Sequence, residues 1–119
     1  MKEADLQVQC MTWLKTQFPQ YRRLCFHVPN GGTRNPVEAA HLKAQGVTPG
    51  VADIIIMVPS GKYHGAAIEL KVGNNKPTAS QEEFLADACR NGYFATLCWS
   101  LDEFIELIHT YFSHGSRRA

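Results

Sequence analysis

The segment Gly50–Lys71, GVADIIIMVPSGKYHGAAIELK, predicts two adjacent strands with charged residues where both should be most apolar. ADIIIMV (52–58) is a continuous apolar run, typical of a strand covered on both faces. The turn SGK (60–62) separates it from YHGAAIELKV (63–72), so a hairpin is predicted. Burying a charged side chain without a partner costs roughly several kcal/mol of folding free energy. Such a side chain therefore normally forms an ion pair, becomes neutral or binds a metal. The charged residues that need this explanation are Asp53, Glu69 and Lys71.

Helix and strand patterns alternate along the rest of the chain. Helices are predicted over 3–17, 36–44, 78–92 and 101–112, and further strands over 22–28 and 93–99. The order α-β-α-β-β-α-β-α predicts an α/β, three-layer sandwich, with a central mixed four-stranded sheet flanked by helices. We expect a single domain over 1–113 and a frayed tail over 114–119.

The composition excludes few functions, but it indicates the general class of protein. A chain of 119 residues with 45% hydrophobic content can bury a core, and a net charge of +1 favours no partner. No apolar run is long enough to span a bilayer, and the acidic, amphipathic start predicts a cytoplasmic protein without a signal peptide. The four cysteines lack zinc-ligand spacing and are predicted to be buried, reduced thiols. Trp13 and Trp99 are predicted to lie in the core.

The charged residues of the hairpin suggest a metal site. Glu69 and Lys71 project to the same side of one strand, and Asp53 begins the neighbouring strand. Two adjacent carboxylates repel unless a cation bridges them, and Mg²⁺ prefers such oxygen ligands. The Leu70 carbonyl is a further candidate ligand.

Lys71 extends this prediction to a reaction. Beside a bound metal it would orient the attacking water, assist its deprotonation or neutralise the developing oxyanion. That set of groups is typical of phosphodiester hydrolysis. The alternative is a structural ion pair between strands on a solvated face.

The sequence resembles a known family over nearly its whole length. The segments are EADLQ (3–7), HVPNGGTRNPVEAAHLKAQG (27–46) and GVTPGVADIIIMVPSGKYHGAAIELKVGNNKPTASQEEFLADACRNGYFATLCWS (46–100). They resemble a VRR-NUC domain, the virus-type replication-repair nuclease branch of the PD-(D/E)XK, restriction-endonuclease-like superfamily. Ala52 departs from the family pattern, which usually has proline there, but this change removes no ligand.

The resemblance implies roles for particular residues. Asp53, Glu69 and the Leu70 carbonyl would bind Mg²⁺ or Mn²⁺, and Lys71 would assist catalysis. Gln81, on the helix after the second strand, would lie near the site. Glu3 would reach the metal directly or through water.

Some of these residues also have simpler interpretations. Gln81 has capping-box spacing from Thr78, and Glu3 lies where an acid stabilises a helix N-terminus. The glycine-rich loop 29–36 would either bring N–H groups and an arginine to a phosphate or form a flexible, solvated turn. The candidate DNA contacts are Asn30, Gly31, Arg34 and Lys76.

These observations predict a metal-dependent, structure-selective DNA endonuclease. No separate recognition helix is present, which favours readout of branched double-stranded DNA by its backbone geometry. One site per chain implies a homodimer for cutting two strands. The resemblance to stand-alone phage proteins implies a dimeric Holliday-junction resolvase, in the host cytoplasm if phage-encoded.

Two alternatives stay open: a flap or nicking nuclease of phage replication-repair, and a non-catalytic module that binds DNA or protein. The dimer interface is also unassigned. Phe104, Ile108 and Phe112 of the last helix are candidates for it, and they are equally good core residues.

Overall fold

The computed structural model of the chain describes residues 1–29 and 35–116, with side chains described up to residue 113. Its helices and strands follow the predicted order. They are α1 (Glu3–Gln17), a 3₁₀ helix (Pro19–Leu24), β1 (Cys25–His27), α2 (Pro36–Ala44), β2 (Ile54–Ile56), β3 (Ala66–Leu70), α3 (Ala79–Arg90), β4 (Phe94–Cys98) and α4 (Leu101–Ser116).

The four strands form one mixed sheet, as predicted. Their spatial order is β1-β2-β3-β4, in which β1, β2 and β3 pair antiparallel and β4 pairs parallel with β3. The parallel pair requires a crossover, and α3 supplies it. All five residues of β3 are buried, because this strand is internal to the sheet and has helices over both faces.

Helices cover the sheet on its two faces. On one face α1 and α4 bury a continuous core, to which α1 contributes Leu6, Cys10 and Leu14. On the other face α3 lies over β3 and β4, as the contact between Gln81 and Glu69 shows. The short helix α2 has no buried residue and lies beside the sheet rather than on its core.

The strands are shorter than predicted at their ends. Residues 22–24 belong to the 3₁₀ helix that Pro19 begins, so the predicted strand 22–28 is reduced to three residues. Beyond β2, the Met57 side chain is 59% exposed, although its N–H still donates to the Leu24 carbonyl. The apolar run therefore extends beyond the part of the strand that helices cover.

Two predictions of buried residues are wrong. Cys89 is exposed on α3, although Cys10, Cys25 and Cys98 are buried, and all four thiols are free. Trp99 is 38% exposed because β4 ends at Cys98, so the inward-outward alternation of the strand no longer sets its direction.

The last helix packs into the core rather than offering a free apolar face. Phe104 and Ile108 are fully buried, and the Phe112 ring stacks on Tyr21 with centroids 5.3 Å apart. The core interpretation of Phe104 and Ile108 is therefore confirmed, and these two residues are not available to a second chain. The helix itself runs to Ser116, beyond its predicted end at Phe112. Residues 117–119 of the predicted tail lie outside the described chain, and the single-domain prediction stays a prediction.

None of the described helices combines the length and the apolar character that crossing a bilayer would require.

Candidate active site

The β2–β3 pairing brings Asp53 and Glu69 together. Ile54 lies opposite Ile68, so one residue further along this register Asp53 lies opposite Glu69. The Asp53 Oδ2 atom accepts a hydrogen bond from the Leu70 N–H at 2.8 Å. This N–H lies beyond the last residue pair of β2 and β3. The carbonyl of Asp53 accepts the Val28 N–H and contacts the His27 ring, which joins this end of β2 to β1. The predicted approach of the two carboxylates is confirmed.

Helix α1 adds a third carboxylate. Ligand oxygens of Glu3, Asp53 and Glu69 all lie within 4.8 Å of one another. Glu3 is held in place by Asn75, whose Nδ2 donates to Oε2 at 3.1 Å from the loop after β3. Three carboxylates so close together repel one another, which a shared cation or proton would relieve.

Burial dominates the electrostatics of Glu69. The residue is 2% exposed, and burial raises the pKa of its carboxyl group to about 8, with the neighbouring Asp53 charge adding to the effect. Lys71 opposes this shift, with its Nζ 3.5 Å from Glu69 Oε2. Without a further positive charge, the raised pKa keeps Glu69 largely protonated at neutral pH.

One oxygen of Glu69 has no hydrogen-bond partner. Oε2 accepts from Gln81 Nε2 at 3.1 Å and faces Lys71, whereas Oε1 is buried and unpaired. An unpaired buried oxygen is costly, and carboxylate oxygens are the ligands that hard divalent cations prefer. The residues therefore fit a divalent cation bound by Asp53, Glu69 and Glu3.

Gln81 both caps α3 and contacts Glu69, because its amide has two ends, and its part in catalysis stays a prediction. Oε1 accepts the Thr78 N–H at 2.9 Å, which completes the predicted capping box. Nε2 donates to Glu69, so the residue that caps α3 also holds a carboxylate of the site. The hydrogen bond that caps α3 therefore fixes the orientation of the Gln81 Nε2 group that donates to Glu69.

Gly50 sets the distance between the segment before β2 and α3. Its φ is +85°, and a Cβ atom there would lie 2.3 Å from the Ser80 carbonyl oxygen. Only glycine allows this close approach of two backbones. Asp53 and Gln81 are consequently held over the same cleft.

The three carboxylates line a cleft of about 530 Å³ between the sheet, α2 and α3. Lys43, one of the basic residues in the first half of the sequence, also lines the cleft. Sequence reasoning missed Asn75, which holds Glu3, and Ser80, which lines the cleft, because no motif gives a signal for either.

Three of the four predicted DNA contacts, Asn30, Gly31 and Arg34, lie outside the described residues. Lys76 is exposed in the loop between β3 and α3, next to Asn75. The role of the Leu70 carbonyl stays a prediction, although the Leu70 N–H binds Asp53.

Two comparisons with known proteins identify the family and the fold. The model of the VRR-NUC domain family matches residues 1–101. A solved structure described as a "VRR_NUC domain protein" superposes with a TM-score of 0.84 and 32% sequence identity, over 97% of this chain and 91% of that one. A search of curated proteins found no match.

The fold and the site together define an α/β protein with a carboxylate cluster and an adjacent lysine on a mixed sheet. The chain belongs to the VRR-NUC family, a family of nuclease domains. Membership implies a nuclease with DNA as its substrate, and such domains typically use a divalent metal.

Proposed function

We propose that this protein is a metal-dependent endodeoxyribonuclease of the PD-(D/E)XK superfamily that cuts branched double-stranded DNA. The observation that carries the proposal is the buried, unpaired Oε1 of Glu69, next to Asp53 and Glu3 and on the same strand as Lys71. In a purely structural ion pair, both oxygens of the carboxylate would have partners within the protein. In a site that binds a cation, one carboxylate oxygen would have no protein partner.

Hydrolysis of a phosphodiester requires three events at the site. A water oxygen attacks phosphorus, the bond from phosphorus to the leaving oxygen breaks, and the water's protons pass to solvent and to that leaving oxygen. A bound Mg²⁺ or Mn²⁺ would supply positive charge beside the phosphate and acidify water. The carboxylates of Asp53, Glu69 and Glu3 would hold it.

The remaining residues orient these groups. Lys71 lies beside Glu69 and would place a positive charge where negative charge develops on the phosphate. Gln81 donates to Glu69 Oε2 and so leaves Oε1 for the cation. Asp53 is fixed by the Leu70 N–H, which presents its other oxygen to the cleft.

Size and site number support a paired assembly. The chain measures about 50 × 31 × 26 Å, comparable to one turn of duplex DNA at about 34 Å. With one carboxylate cluster among the residues that the structure describes, symmetric cutting of two strands would require two copies, and a two-fold dimer is the simplest arrangement. We therefore propose a dimeric Holliday-junction resolvase of the stand-alone phage type.

Cleavage of matched DNA substrates tests the proposal. An end-labelled four-way junction, a flap, a single strand and a plain duplex are incubated with Mg²⁺ or Mn²⁺, and light scattering measures the mass in solution. Wild type is compared with Lys71→Met and with Lys62→Met, an exposed lysine beside Tyr63. The expected result is paired, symmetric nicks in the junction by a dimer, lost only in Lys71→Met.

Other outcomes separate the parts of the proposal. Cutting of the flap alone, or by a monomer, would keep the nuclease and overturn the resolvase. A folded protein that cuts none of the substrates with either metal would indicate a binding module.

A further inference from the structure

A second groove lies next to Asn75, the residue that donates a hydrogen bond to Glu3 of the carboxylate cluster. It measures about 630 Å³ and is lined by the start of α1, the loop after β3 and the start of α4. Asn75 belongs to its wall and also donates to Glu3 Oε2, so the groove and the carboxylate cluster share a boundary.

Trp99 places an aromatic surface in this groove. The Lys71 N–H donates to the Cys98 carbonyl at 2.9 Å, so Trp99 follows directly after the residue that pairs with the catalytic lysine. Neighbouring strands lie about 5 Å apart, which puts the Trp99 backbone close to the cleft. Its side chain is 38% exposed and lines the groove.

The chemistry of the groove distinguishes a base from a phosphate. No lysine or arginine is among its lining residues in the described chain, and Asp102 gives it a carboxylate, which disfavours a phosphodiester. Its floor is apolar, and its polar groups are side-chain amides, which donate and accept as base edges require. The residues that supply these properties are Leu6, Leu101, Gln9, Asn74 and Asn75.

We propose that this groove binds one unpaired nucleobase of the DNA substrate, stacked on Trp99, beside the phosphate that is cut. The proposal rests on the nuclease function given above and adds a basis for choosing the substrate. DNA in which the nucleotide next to the cut can leave its base pair, as at a branch point, fills the groove. A fully paired duplex does not.

Abasic substitutions test the base directly, because they remove a base and leave the phosphate charge unchanged. A series of substrates carries one abasic site at each position around the cut, and kcat/KM is measured for each. In wild type, the abasic site at one position next to the cut lowers kcat/KM about tenfold, in line with aromatic stacking of a base. In Trp99→Ala the intact substrate shows the same loss, and the abasic site at that position adds no more.

Two variants serve as controls. Trp99→Phe retains a stacking ring and keeps most of the wild-type rate. Tyr93→Ala removes another exposed aromatic residue, at the opposite end of the same strand, and leaves kcat/KM unchanged. A Trp99 with a merely structural role would give losses in Trp99→Ala that multiply with the abasic effect. That result, or an unaltered kcat/KM in Trp99→Ala, overturns the proposal.

Fluorescence separates this proposal from the nuclease function. The chain has two tryptophans, so quenching by a short single-stranded oligonucleotide that is present in wild type and absent in Trp99→Phe reports on Trp99. Quenching without cleavage of any substrate would reject the nuclease and retain the base site. Cleavage without quenching would retain the nuclease and reject the base site, and loss of both would reject both.

Discussion

The two ends of the central sheet both bury polar side chains, but these side chains differ in their charge and in their hydrogen bonding. At the end remote from the cleft, the Ser60 hydroxyl donates to the Tyr111 carbonyl, and the Tyr111 hydroxyl donates to the Val58 carbonyl. These groups are neutral and paired. At the cleft, Glu69 and Lys71 are ionisable, and one Glu69 oxygen has no partner.

The difference shows which buried polar groups serve stability and which serve binding. A neutral, fully hydrogen-bonded group costs little to bury and fixes the packing around it. A carboxylate with an unpaired oxygen destabilises the protein by itself and gains from a ligand. The two ends should therefore respond in opposite ways to substitution.

The largest expected effect is on cleavage at the carboxylate end. Asp53→Asn keeps an oxygen for the Leu70 N–H but removes the charge that holds a cation, so cleavage should fall about a thousandfold or more (~4 kcal/mol). Single-turnover cleavage of the preferred substrate measures it. Asp87→Asn, which alters an exposed carboxylate paired with Arg90, should leave the rate unchanged. Equal losses in both variants would contradict the site.

The next effect concerns metal binding and stability. At a hundredfold excess over its dissociation constant, Mg²⁺ or Mn²⁺ should raise the free energy of unfolding of wild type by about 2.7 kcal/mol. Asp53→Asn should lose this response, whereas Ser60→Ala at the other end should retain it. Urea denaturation with and without metal measures both. An unchanged response in Asp53→Asn would show that the cation binds elsewhere.

A pH-dependent effect on stability is expected for Glu69 in metal-free protein. Its pKa in the folded state is about 8, above the ordinary 4.5, so the folded state holds the proton more tightly and stability falls as pH rises from about 4.5 to 8. Glu69→Gln removes this penalty and should stabilise the protein at pH 8, with little effect near pH 5. Urea denaturation across this range checks the slope. A variant less stable than wild type at pH 8 would contradict the burial argument.

The smallest effect is expected at the remote end. Tyr111→Phe keeps the ring but leaves the buried Val58 carbonyl without its donor, which should lower the free energy of unfolding by about 1 kcal/mol. Cleavage per folded molecule and the metal response should stay as in wild type. Thermal unfolding and the cleavage assay together measure this. A loss of cleavage at a temperature where the variant is folded would remove the distinction between the two ends.

Many of the helices and strands follow from short-range preferences in the sequence. The apolar run ADIIIMV, the capping residue Thr78 and the helical pattern of residues 3–17 express short-range preferences, and a strand or a helix formed at each of them. The ends were less accurate, because the extent of a strand depends on what covers it. Met57 continues the pattern of β2 and is nevertheless exposed.

The site divides in the same way. Glu69 and Lys71 share a strand face because side chains alternate, and Asp53 faces Glu69 because a hairpin register follows from its turn, so the sequence by itself determined these three. Only the tertiary structure decided that Asn75 holds Glu3 in the cluster and that Gly50 packs on Ser80.

It also decided that Trp99 opens onto a second groove. These contacts join elements far apart in the chain, and their geometry depends on how whole helices pack on the sheet. No local spacing encodes that packing.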